Sequence, residues 1–542
     1  MAVNDVVDRA KIYIYDTTLR DGAQGEGISL SLEDKLKIAA KLDYLGVDYL
    51  EGGWPGSNPK DMEFYKRVRS LGLRHSRVVA FGSTRRPLTQ AESDYNLVCL
   101  VQSGAPCGCL VGKAWDYHVE TALGTTLEEN LAMIADSVHF LKAHGLEVIF
   151  DAEHFFDGFI RNRDYALATL KAAAQAGADW IVLCDTNGGA LPHQVKDIVE
   201  QVGGTLGPEV RLGIHTHNDG ELAVANALAA VAAGARQVQG TINGYGERCG
   251  NACLASVIPN LELKLGYACL PPGNLTRLTD VSRYVGEIAN VVPHNSQPFV
   301  GRSAFAHKGG VHVSGILKDA TTYEHVDPRA VGNERRVLIS ELSGAANLRY
   351  KLKELGVDLE LGDAVRAVVD EIKRLEYEGF QFEGADASLE LLVRKTLGHY
   401  APAFKLESFK VLVEKHADRD MISEAVIKLR VKDHVVHTAA EGNGPVNALD
   451  NALRKALEDI YPVLKRMRLT DYKVRVLDEK DGTGAKVRVL IESQDGASSW
   501  STVGVSENII EASWQALVDS MDYALLREER GALPSDQAKA AP

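Results

Sequence analysis

The chain has 542 residues, 45% of them hydrophobic and 25% charged, and its formal net charge at pH 7 is −14. This length predicts about two to four domains with the composition of an ordinary globular protein. The acidic balance excludes a nucleic-acid binder, and an anionic ligand would require a locally basic patch.

The cysteines and the apolar segments indicate the cellular compartment of the protein. Seven cysteines, an odd number spread thinly over a long chain, are typical of a reducing compartment. Cys107-Gly-Cys109 and the pair Cys249 and Cys253 have no matching pair nearby, so we interpret them as buried free thiols. Residues 1–11 lack the apolar region of a signal peptide, and no apolar run approaches the roughly 20 residues that span a bilayer. We therefore expect a cytoplasmic protein with no membrane partner.

The first half of the chain alternates β-branched apolar runs with helical patterns. We predict eight strands, at residues 12–16, 49–53, 77–82, 109–113, 146–153, 180–185, 211–217 and 237–243. Helical stretches lie between them, at 31–45 (with Ser31 as the N-cap), 127–144, 164–176, 192–202 and 221–233. Eight strand–helix units predict an α/β fold, a (β/α)₈ TIM barrel over residues 1–290, with a doubly wound open sheet as the alternative.

Two motifs at strand ends indicate a metal site. Asp16-Thr-Thr-Leu-Arg-Asp-Gly22 follows the first strand, and His215-Thr-His-Asn-Asp219 ends the seventh. Residues two apart in a strand share a face, so His215 and His217 present two imidazoles to one spot. Asp21 can add a carboxylate there and Arg20 a positive charge. Two histidines and one aspartate, with room for substrate, suit a divalent metal that polarises a carbonyl group.

Polar residues recur where the predicted strands end. In a barrel these positions meet at the C-terminal mouth, where such folds place their chemistry, so the pattern favours an enzyme over a binding scaffold. The residues are Asp16, Arg20, Asp21, Glu51, Asp151, Glu153, Asp185, Thr186, His215, His217 and Asn243.

The sequence pattern changes at residues 291–403. We interpret these residues as a linker region with helices near 347–355 and 361–377. It begins with a glycine- and histidine-rich segment, Phe305-Ala-His-Lys-Gly-Gly-Val-His312. Residues 404–530 contain two similar ββα units, with strands at 425–431, 435–439, 487–492 and 499–505 and helices at 446–457 and 509–526. Gly442 and Gly504 introduce the two helices. We expect a regulatory or dimerising module, followed by a disordered tail at 531–542.

The motifs resemble a known family. Asp16-Thr-Thr-Leu-Arg-Asp-Gly22, His215-Thr-His-Asn-Asp219 and Gly246-Glu-Arg-Cys-Gly-Asn251 are similar to the three signatures of the metallolyase-type TIM barrels. That group includes the 2-isopropylmalate, homocitrate and citramalate synthases. The tandem C-terminal repeat resembles the leucine-binding regulatory domain of the 2-isopropylmalate synthases. Residues 49–59 and 310–319 look most like the citramalate branch.

The resemblance implies a role for each matched residue. Asp21, His215 and His217 would ligate the metal, which would be Mg²⁺ or Mn²⁺, with Zn²⁺ as a third candidate, and Asn251 would be a fourth ligand. Arg20 would steady the keto or enolate oxygen, Glu153 would lie beside the substrate, and Thr186 would bind the keto acid's carboxylate. His312 and Tyr323 would reach into the partner chain's barrel. Ser314 departs from the acidic residue of many relatives, which bears on how His312 is oriented.

The implied reaction is a Claisen-type condensation of acetyl-CoA with a 2-keto acid, followed by thioester hydrolysis. Removing a methyl proton of acetyl-CoA requires a positioned base, for which His312 is the first candidate and Glu153 the alternative. We expect pyruvate as the acceptor, a homodimer, and feedback by a branched-chain amino acid, isoleucine first and leucine second. Two interpretations are open for the aromatic side chains of Trp54, Phe81, Phe150 and Phe155. They reduce the substrate pocket to a size that favours pyruvate, or they fill the barrel core.

Several alternatives remain open at this point. The acceptor could be 2-oxoisovalerate or 2-oxoglutarate, which would make the chain a 2-isopropylmalate or homocitrate synthase. A lyase running the reverse cleavage and a biotin-dependent carboxyltransferase share the fold, although no lysine ends the fifth or sixth strand. A protein of a different class would be a catalytically silent amino-acid sensor.

Overall fold

The structure is a computed structural model that describes residues 9–339, 344–354, 364–418, 420–477, 484–496 and 498–532. The ends of the two predicted linker helices that fall at 355 and at 361–363 lie outside these residues. So does the predicted tail, apart from residues 531 and 532. The chain divides into two compact units, one of residues up to 305 with 325–335, the other of residues 306–324 with those from 336 onward.

The first unit is built on a closed barrel of eight parallel strands, which confirms the predicted TIM barrel and rules out the open sheet. Closure is made by β1, which pairs with both β2 and β8. The strands are β1 Tyr13–Asp16, β2 Tyr49–Gly53, β3 Arg77–Ser83, β4 Cys107–Lys113, β5 Glu147–Glu153, β6 Trp180–Asp185, β7 Leu212–Thr216 and β8 Gln237–Gly240.

Helices cover the outside of the barrel. They are α1 Leu32–Leu45, α2 Pro59–Val68, α3 Tyr95–Ser103, α4 Asp116–His118, α5 Leu127–Ala143, α6 Phe155–Arg161, α7 Arg163–Gln175, α8 Pro192–Leu206, α9 Ala223–Ala232, α10 Leu254–Pro259 and α11 Leu278–Ile288. Ser31 caps α1 as predicted, because its hydroxyl accepts from the Asp34 amide and Asp34 bonds back to Ser31. The predicted 221–233 helix begins two residues later, at Ala223, because Glu221 has a left-handed φ of 60°.

The inside of the barrel is packed with side chains. Tyr15, Tyr49, Cys109, Trp180 and Val182 belong to one buried cluster, and Phe81 lies at its edge. All seven cysteines are free thiols. The interpretation of the four motif cysteines as buried thiols is right for Cys107 and Cys109 but wrong for Cys249, which is exposed, and Cys253 is half-buried. Among the described residues, no helix is long and apolar enough to cross a membrane.

Residues 306–324 and 336–403 of the predicted linker belong to the second unit, whereas 291–305 and 325–335 belong to the first. The part in the second unit has a hydrophobic core. It contains β9 Ala306–His307, α12 Gly310–Lys318, β10 Arg336–Val337, α13 Ala345–Glu354, α14 Val365–Tyr377 and α15 Asp386–Thr396. Leu348, Val368 and Leu389 are buried in one cluster that also includes Val503 and Val505 of the C-terminal region. The linker helices therefore pack on the C-terminal region rather than forming a loose connection.

The C-terminal repeat has one more strand in each half than predicted. The described elements are β11 Lys405–Glu414, β12 Ile422–Val431, β13 His434–Gly442 and α16 Pro445–Leu457, then β14 Arg468–Val476, β15 Val487–Gln494, β16 Ser499–Ser506 and α17 Ile509–Ala532. The strands β11 and β14 are the missed ones, and each lies at an edge of its three-stranded sheet. Both are largely exposed and rich in charged residues, so they lack the apolar alternation of a half-buried strand.

A buried ion pair should support the end of β2. Lys35 of α1 and Asp61 of α2 form it, with side chains 4% and 11% exposed, and burial lowers the pKa of Lys35. Asp61→Asn should destabilise the barrel by about 3 kcal/mol, because it leaves a buried ammonium without its partner. This corresponds to a melting temperature roughly 5 °C lower in calorimetry.

Glu63→Gln is the matched control, because it removes an exposed ion pair with Lys66 from the same helix. It should leave the barrel transition almost unchanged. Equal shifts in the two variants would show that the buried pair adds nothing to stability.

Candidate active site

The C-terminal mouth of the barrel contains a cavity of about 420 Å³. The predicted barrel residues Arg20, Asp21, Glu153, Thr186, His215 and His217 all line it, together with Trp54, Phe81, Lys113, Asp151 and Arg248. Most of the polar strand ends therefore converge as the barrel geometry requires. Asp16, Glu51, Asp185 and Asn243 do not line the cavity. Their side chains form hydrogen bonds with Thr18, Arg20, Gly189 and Ser282, respectively.

Three of the predicted metal ligands come together. The ligand atoms of Asp21, His215 and His217 lie within 4.8 Å of one another, and all three residues are buried. Nε2 of His215 is 3.4 Å from Oδ2 of Asp21 and 3.3 Å from Nε2 of His217. Ligands about 2.1 Å from one metal ion at right angles are about 3 Å apart, so this spacing suits a single cation.

His215 is oriented by a chain of buried polar groups that the sequence analysis missed. Its Nδ1 lies 2.8 Å from Oε1 of Gln239, and Nε2 of Gln239 donates to Oδ1 of Asp151 at 2.9 Å. Because the amide nitrogen faces a carboxylate, its oxygen must be the acceptor for His215. Nδ1 therefore carries the proton, and Nε2 is left as a lone-pair donor towards the cavity. The signal was present as polar residues at 237 and 239 of a barrel strand.

Asn251, the predicted fourth ligand, lies beside the cluster. It forms an isolated β-bridge with His217, and its Oδ1 is buried without a hydrogen-bond partner among the described residues. Its loop depends on glycines, as expected. A Cβ at Gly250, where φ is +85°, would lie 1.9 Å from the carbonyl oxygen of Gly244. A Cβ at Gly246 would lie 2.2 Å from the Asn251 amide.

These residues fit a divalent cation. Buried polar atoms without partners are costly, and here Nδ1 of His217 and Oδ1 of Asn251 are both in that position. Burial and the neighbouring His215 lower the pKa of His217 to about 4, which keeps its imidazole neutral at pH 7. Burial opposes the charge of Asp21, but Arg20 and the two histidines outweigh it and hold the Asp21 pKa well below its usual value. An ionised carboxylate and a neutral imidazole are the forms that bind metals.

Arg20 is fixed by buried acceptors. Its Nε donates to Oε2 of Glu51 at 2.7 Å, its Nη1 lies 3.3 Å from Oδ2 of Asp21, and its guanidinium stacks 3.8 Å from the Phe81 ring centroid. Glu51 is fully buried and also accepts from Tyr15 and Thr17. Burial lowers the Arg20 pKa, but the nearby carboxyl groups of Glu51 and Asp21 raise it by more. The Arg20 pKa therefore lies above its ordinary value. Arg20 is thus a permanent, immobile cation at the cavity.

Glu153 ends β5, Thr186 directly follows β6, and both line the cavity. Glu153 accepts an ion-paired hydrogen bond from Lys113 through Oε2. Lys113 ends β4 and lines the cavity, yet the sequence analysis gave it no role although the predicted strand ended there. Oγ1 of Thr186 accepts from the His154 amide at 2.9 Å, which leaves its hydroxyl hydrogen for a ligand.

The four aromatic candidates divide into two pairs. Trp54 and Phe81 line the cavity and contact each other edge-on, with ring centroids 5.4 Å apart. Phe150 and Phe155 are fully buried in the core between strands and helices and do not line the cavity. Only the first pair therefore limits the size of a substrate.

His312 and Tyr323 lie in the second unit. Their rings stack with centroids 4.2 Å apart, and both side chains are exposed. A Cβ at Gly315 would lie 2.6 Å from the Tyr323 ring, so glycine is required for this stacking. Ser314 borders the same shallow cavity as Tyr323. His307 contacts the buried carboxylate of Glu324 at 3.1 Å.

Two basic residues, Lys308 and Arg248, are engaged by acidic partners. Lys308 forms an ion pair with Glu383 at 3.2 Å. Arg248, in the third motif, holds Asp219 through two bonds of 2.7 and 2.9 Å and donates to the carbonyl oxygen of Thr186. It ties together the loops after β6, β7 and β8, a role that the sequence analysis missed.

Three families match successive parts of the chain. Residues 11–285 match the HMGL-like family, residues 299–379 the homocitrate synthase post-HMGL domain-like family, and residues 383–525 the LeuA allosteric (dimerisation) domain.

Individual relatives match nearly the whole chain. It is 54% identical over 520 residues to an (R)-citramalate synthase of Geobacter sulfurreducens, with 96% of this chain and 98% of that protein covered. It is 53% identical over 521 residues to an (R)-citramalate synthase of Aquifex aeolicus, again with 96% and 98% covered. A 2-isopropylmalate synthase of Methanocaldococcus jannaschii is 31% identical over 524 residues, with 96% of each chain covered.

The cluster of Asp21, His215 and His217 should bind one Mn²⁺ per chain. We expect His217→Ala to weaken binding at least tenfold, because it removes a neutral nitrogen ligand from a buried site. Electron paramagnetic resonance of free Mn²⁺ during titration would measure this.

His193→Ala is the control, since His193 is an exposed residue of α8. It should bind Mn²⁺ like the unsubstituted chain. Undiminished binding by the His217 variant would place the metal elsewhere.

Proposed function

The chain belongs to the (R)-citramalate synthases of the HMGL-like family, and we propose how its residues perform that reaction. The activity is an acetyl transfer from acetyl-CoA to pyruvate with hydrolysis of the thioester, which gives (R)-citramalate and CoA. Identity of about half the residues over nearly the full chain, with the three motifs gathered at one cavity, is the observation that carries this assignment.

Asp21, His215, His217 and Asn251 would hold a divalent metal, Mg²⁺ or Mn²⁺ with Zn²⁺ as a further candidate. When bound, such an ion supplies Lewis-acid polarisation of the keto group of pyruvate. Arg20 has one guanidinium nitrogen, Nη2, with no partner in the described part of the chain, and this group would donate to the keto oxygen as it becomes negative. Because Arg20 is already fixed by Glu51, it needs no reorganisation to do so.

Pyruvate would be oriented by Thr186 and enclosed by Phe81 and Trp54. The hydroxyl of Thr186 has its hydrogen available for the substrate carboxylate, since its oxygen already accepts from His154. The two aromatic rings form a wall beside Arg20, which leaves less room for a branched keto acid than for a methyl group.

Two groups are candidates for the base. His312 would remove the methyl proton of acetyl-CoA, and its stacking on Tyr323 fixes the imidazole plane. Glu153 would activate the water that hydrolyses the thioester. Its Oε2 is occupied by Lys113, whereas Oε1 has no partner among the described residues and is available to accept a proton.

We propose a homodimer in which His312 and Tyr323 serve the barrel of the partner chain. Both residues lie outside the barrel unit, and both rings are exposed. The match of residues 383–525 to a dimerisation domain supports a dimer. The free thiols favour a cytoplasmic location, and citramalate as the product supports the proposal of a role in isoleucine biosynthesis.

The C-terminal repeat would bind the feedback effector. A cavity of about 550 Å³ lies between α16, β14 and α17, lined by Val446, Asn447, Leu469, Tyr472 and Leu517 among others. Gly444 is the N-cap of α16, which leaves backbone N–H groups for an α-carboxylate. Gly442 and Gly504 also allow a close approach of strand to helix, since a Cβ would lie 2.3 and 2.0 Å from helix backbone atoms. Isoleucine is the first candidate ligand and leucine the second.

The alternatives have less support. The 2-isopropylmalate synthase relative is 31% identical, against 54% for a citramalate synthase. A silent sensor would not require a buried cluster of metal ligands beside a fixed arginine, and the described residues retain both.

Pyruvate should be preferred over 2-oxoisovalerate and 2-oxoglutarate in a thiol-release assay with acetyl-CoA. Phe81→Ala should shift the ratio of kcat/KM towards 2-oxoisovalerate about tenfold, because it makes room for two further carbons. Phe159→Ala, which truncates a buried ring away from the cavity, should leave the ratio unchanged. A preference of the unsubstituted enzyme for 2-oxoisovalerate would instead make it a 2-isopropylmalate synthase.

Mixing inactive His312→Ala and His217→Ala chains should restore activity. In the mixed dimer one barrel has its metal ligands and receives the intact histidine, so random exchange should give about a quarter of full activity. Mixing Arg20→Ala with His217→Ala chains is the control and should give none, because both residues belong to the barrel. Absence of recovery in demonstrated mixed dimers would contradict the shared site.

Isoleucine should inhibit at micromolar to millimolar concentrations by favouring a less active state. Val446→Trp fills the cavity beside α16 and should abolish both inhibition and calorimetric binding at that site. Val435→Trp, on the exposed strand β13, should retain them. Failure of isoleucine, leucine and valine to bind at millimolar concentrations would leave the repeat with a structural role.

A further inference from the structure

A lysine in the wall of the barrel cavity has no role of its own in the reaction described above. Lys113 is the last residue of β4, and Glu153 is the last residue of β5. The two are direct partners in the parallel register of these strands, and their side chains, each 24% exposed, form an ion pair. Since β4 and β5 lie across the closed barrel from β8 and β1, this pair faces the metal cluster from the other side of the cavity.

The backbone around Lys113 is held by buried contacts. The Lys113 carbonyl oxygen accepts from Nδ2 of Asn130 at 2.9 Å, and Asn130 is a fully buried residue of α5. The amide of Ala114 donates to the carbonyl oxygen of Glu153 at 3.1 Å. The end of β4 is thus tied to both α5 and β5, which limits the region that the lysine ammonium group can reach.

Lys113 differs from the other cationic side chains that line the cavity, which are Arg20, Arg85, Arg86 and Arg248. Arg20 is fixed beside the metal ligands, and Arg86 is exposed. Arg85 and Arg248 are held by carboxylates that do not line the cavity, namely Glu129, Asp136 and Asp219. The Lys113 ammonium group has three N–H donors, and only the one to Glu153 has a partner among the described residues. Two donors are therefore available to a substrate.

The proposed reaction places negative charge on two different oxygens. When His312 takes a methyl proton of acetyl-CoA, the electron pair of the broken C–H bond moves onto the thioester oxygen as an enolate. The enolate carbon then forms the C–C bond to the keto carbon. The π electrons of the keto group move onto its oxygen, beside Arg20, and this oxygen takes the proton from His312.

Thioester hydrolysis returns negative charge to the same thioester oxygen. Water attacks the thioester carbon while Glu153 takes one of its protons, and a C–O bond forms. The tetrahedral intermediate then breaks its C–S bond, and the CoA thiolate takes the proton from Glu153. The new carboxylic acid ionises and releases one proton to solvent. The thioester oxygen is therefore anionic in both steps, and a donor in the cavity would lower both barriers.

We propose that Lys113 is a catalytic residue whose ammonium group donates to the thioester oxygen of acetyl-CoA and stabilises its charge in both steps. This inference rests on the proposed citramalate synthase reaction. Glu153 accepts from Lys113 through Oε2 and keeps Oε1 for the water, so a thioester carbonyl at this pair meets a cation at its oxygen and the water at its carbon. No proton leaves Lys113, because a charge-assisted hydrogen bond is sufficient.

A purely positioning role makes a different prediction. If Lys113 only oriented Glu153, its removal would affect only what Glu153 does. The loss would then never exceed that caused by removing the carboxylate itself. Comparison of Lys113→Met with Glu153→Gln therefore separates the two roles, since the second variant keeps the lysine.

The test is a rapid-quench single turnover with excess enzyme, radiolabelled acetyl-CoA and saturating pyruvate. Loss of acetyl-CoA measures condensation, and release of CoA measures hydrolysis. Lys113→Met should slow condensation about a hundredfold, as the loss of an oxyanion donor does, while both KM values stay within about threefold. Glu153→Gln should slow condensation less than about tenfold and accumulate the citramalyl thioester.

Lys142→Met is the matched control, because it breaks an ion pair with Asp179 of similar exposure away from the cavity. It should leave both rates unchanged. Mn²⁺ binding by Lys113→Met should equal that of the unsubstituted chain, which shows that the barrel mouth is intact. Lys113→Gln, which is neutral but keeps an N–H donor, replaces the methionine variant if that one does not fold, and it should slow condensation at least tenfold more than Glu153→Gln does.

Two results would overturn the proposal. One is a condensation rate in the Lys113 variant that is no lower than in Glu153→Gln, which includes a loss confined to hydrolysis. The other is a raised KM with an unchanged kcat, which would make Lys113 a binding residue only. Failure of the unsubstituted enzyme to release thiol from acetyl-CoA with pyruvate would instead contradict the proposed function, so the two failures are distinguishable.

Discussion

The site depends on one buried arrangement of charge around Arg20. Its guanidinium lies between the carboxylates of Glu51 and Asp21 and stacks on Phe81. A buried charge without partners would cost several kcal/mol, and here two buried carboxyl groups partner the guanidinium. The same contacts that keep Arg20 charged hold Asp21 as a carboxylate towards the histidines. In the proposed mechanism, substrate polarisation and metal binding thus share one electrostatic origin.

Barrel closure decides which residues can take part. Asp21 follows β1, while His215 and His217 come at the end of β7 and Asn251 after β8. Only the pairing of β1 with β8 makes these loops neighbours. Contacts around these residues then fix their orientation. Asp151 orients Gln239, and Gln239 orients His215. Arg248 connects Asp219 to the loop of Thr186. The proposed catalytic groups are therefore positioned by hydrogen bonds from the residues that surround them.

The C-terminal unit contains cavities with a similar combination of groups. Its two cavities combine apolar walls with polar groups whose partners within the chain are incomplete. One lies between the two halves of the repeat, and the other lies where the linker helices pack on the second half. Leu348, Leu389 and Val503 share one core, so the linker helices and the second half of the repeat are packed together.

The sequence by itself determined the barrel, the order of its strands and the three residues that cluster at its mouth, Asp21, His215 and His217, because hydrophobic periodicity and local motifs are short-range properties. Residues two apart in β7 had to share a face, so His215 and His217 could be paired without coordinates. Only the tertiary structure decided which aromatic rings reach the cavity, where Phe81 and Trp54 do and Phe150 and Phe155 do not. It also showed that Gln239, Lys113 and Arg248 support the site, and it added the edge strands β11 and β14. These outcomes depend on contacts between residues far apart in the chain, and local pattern carries no information about such contacts.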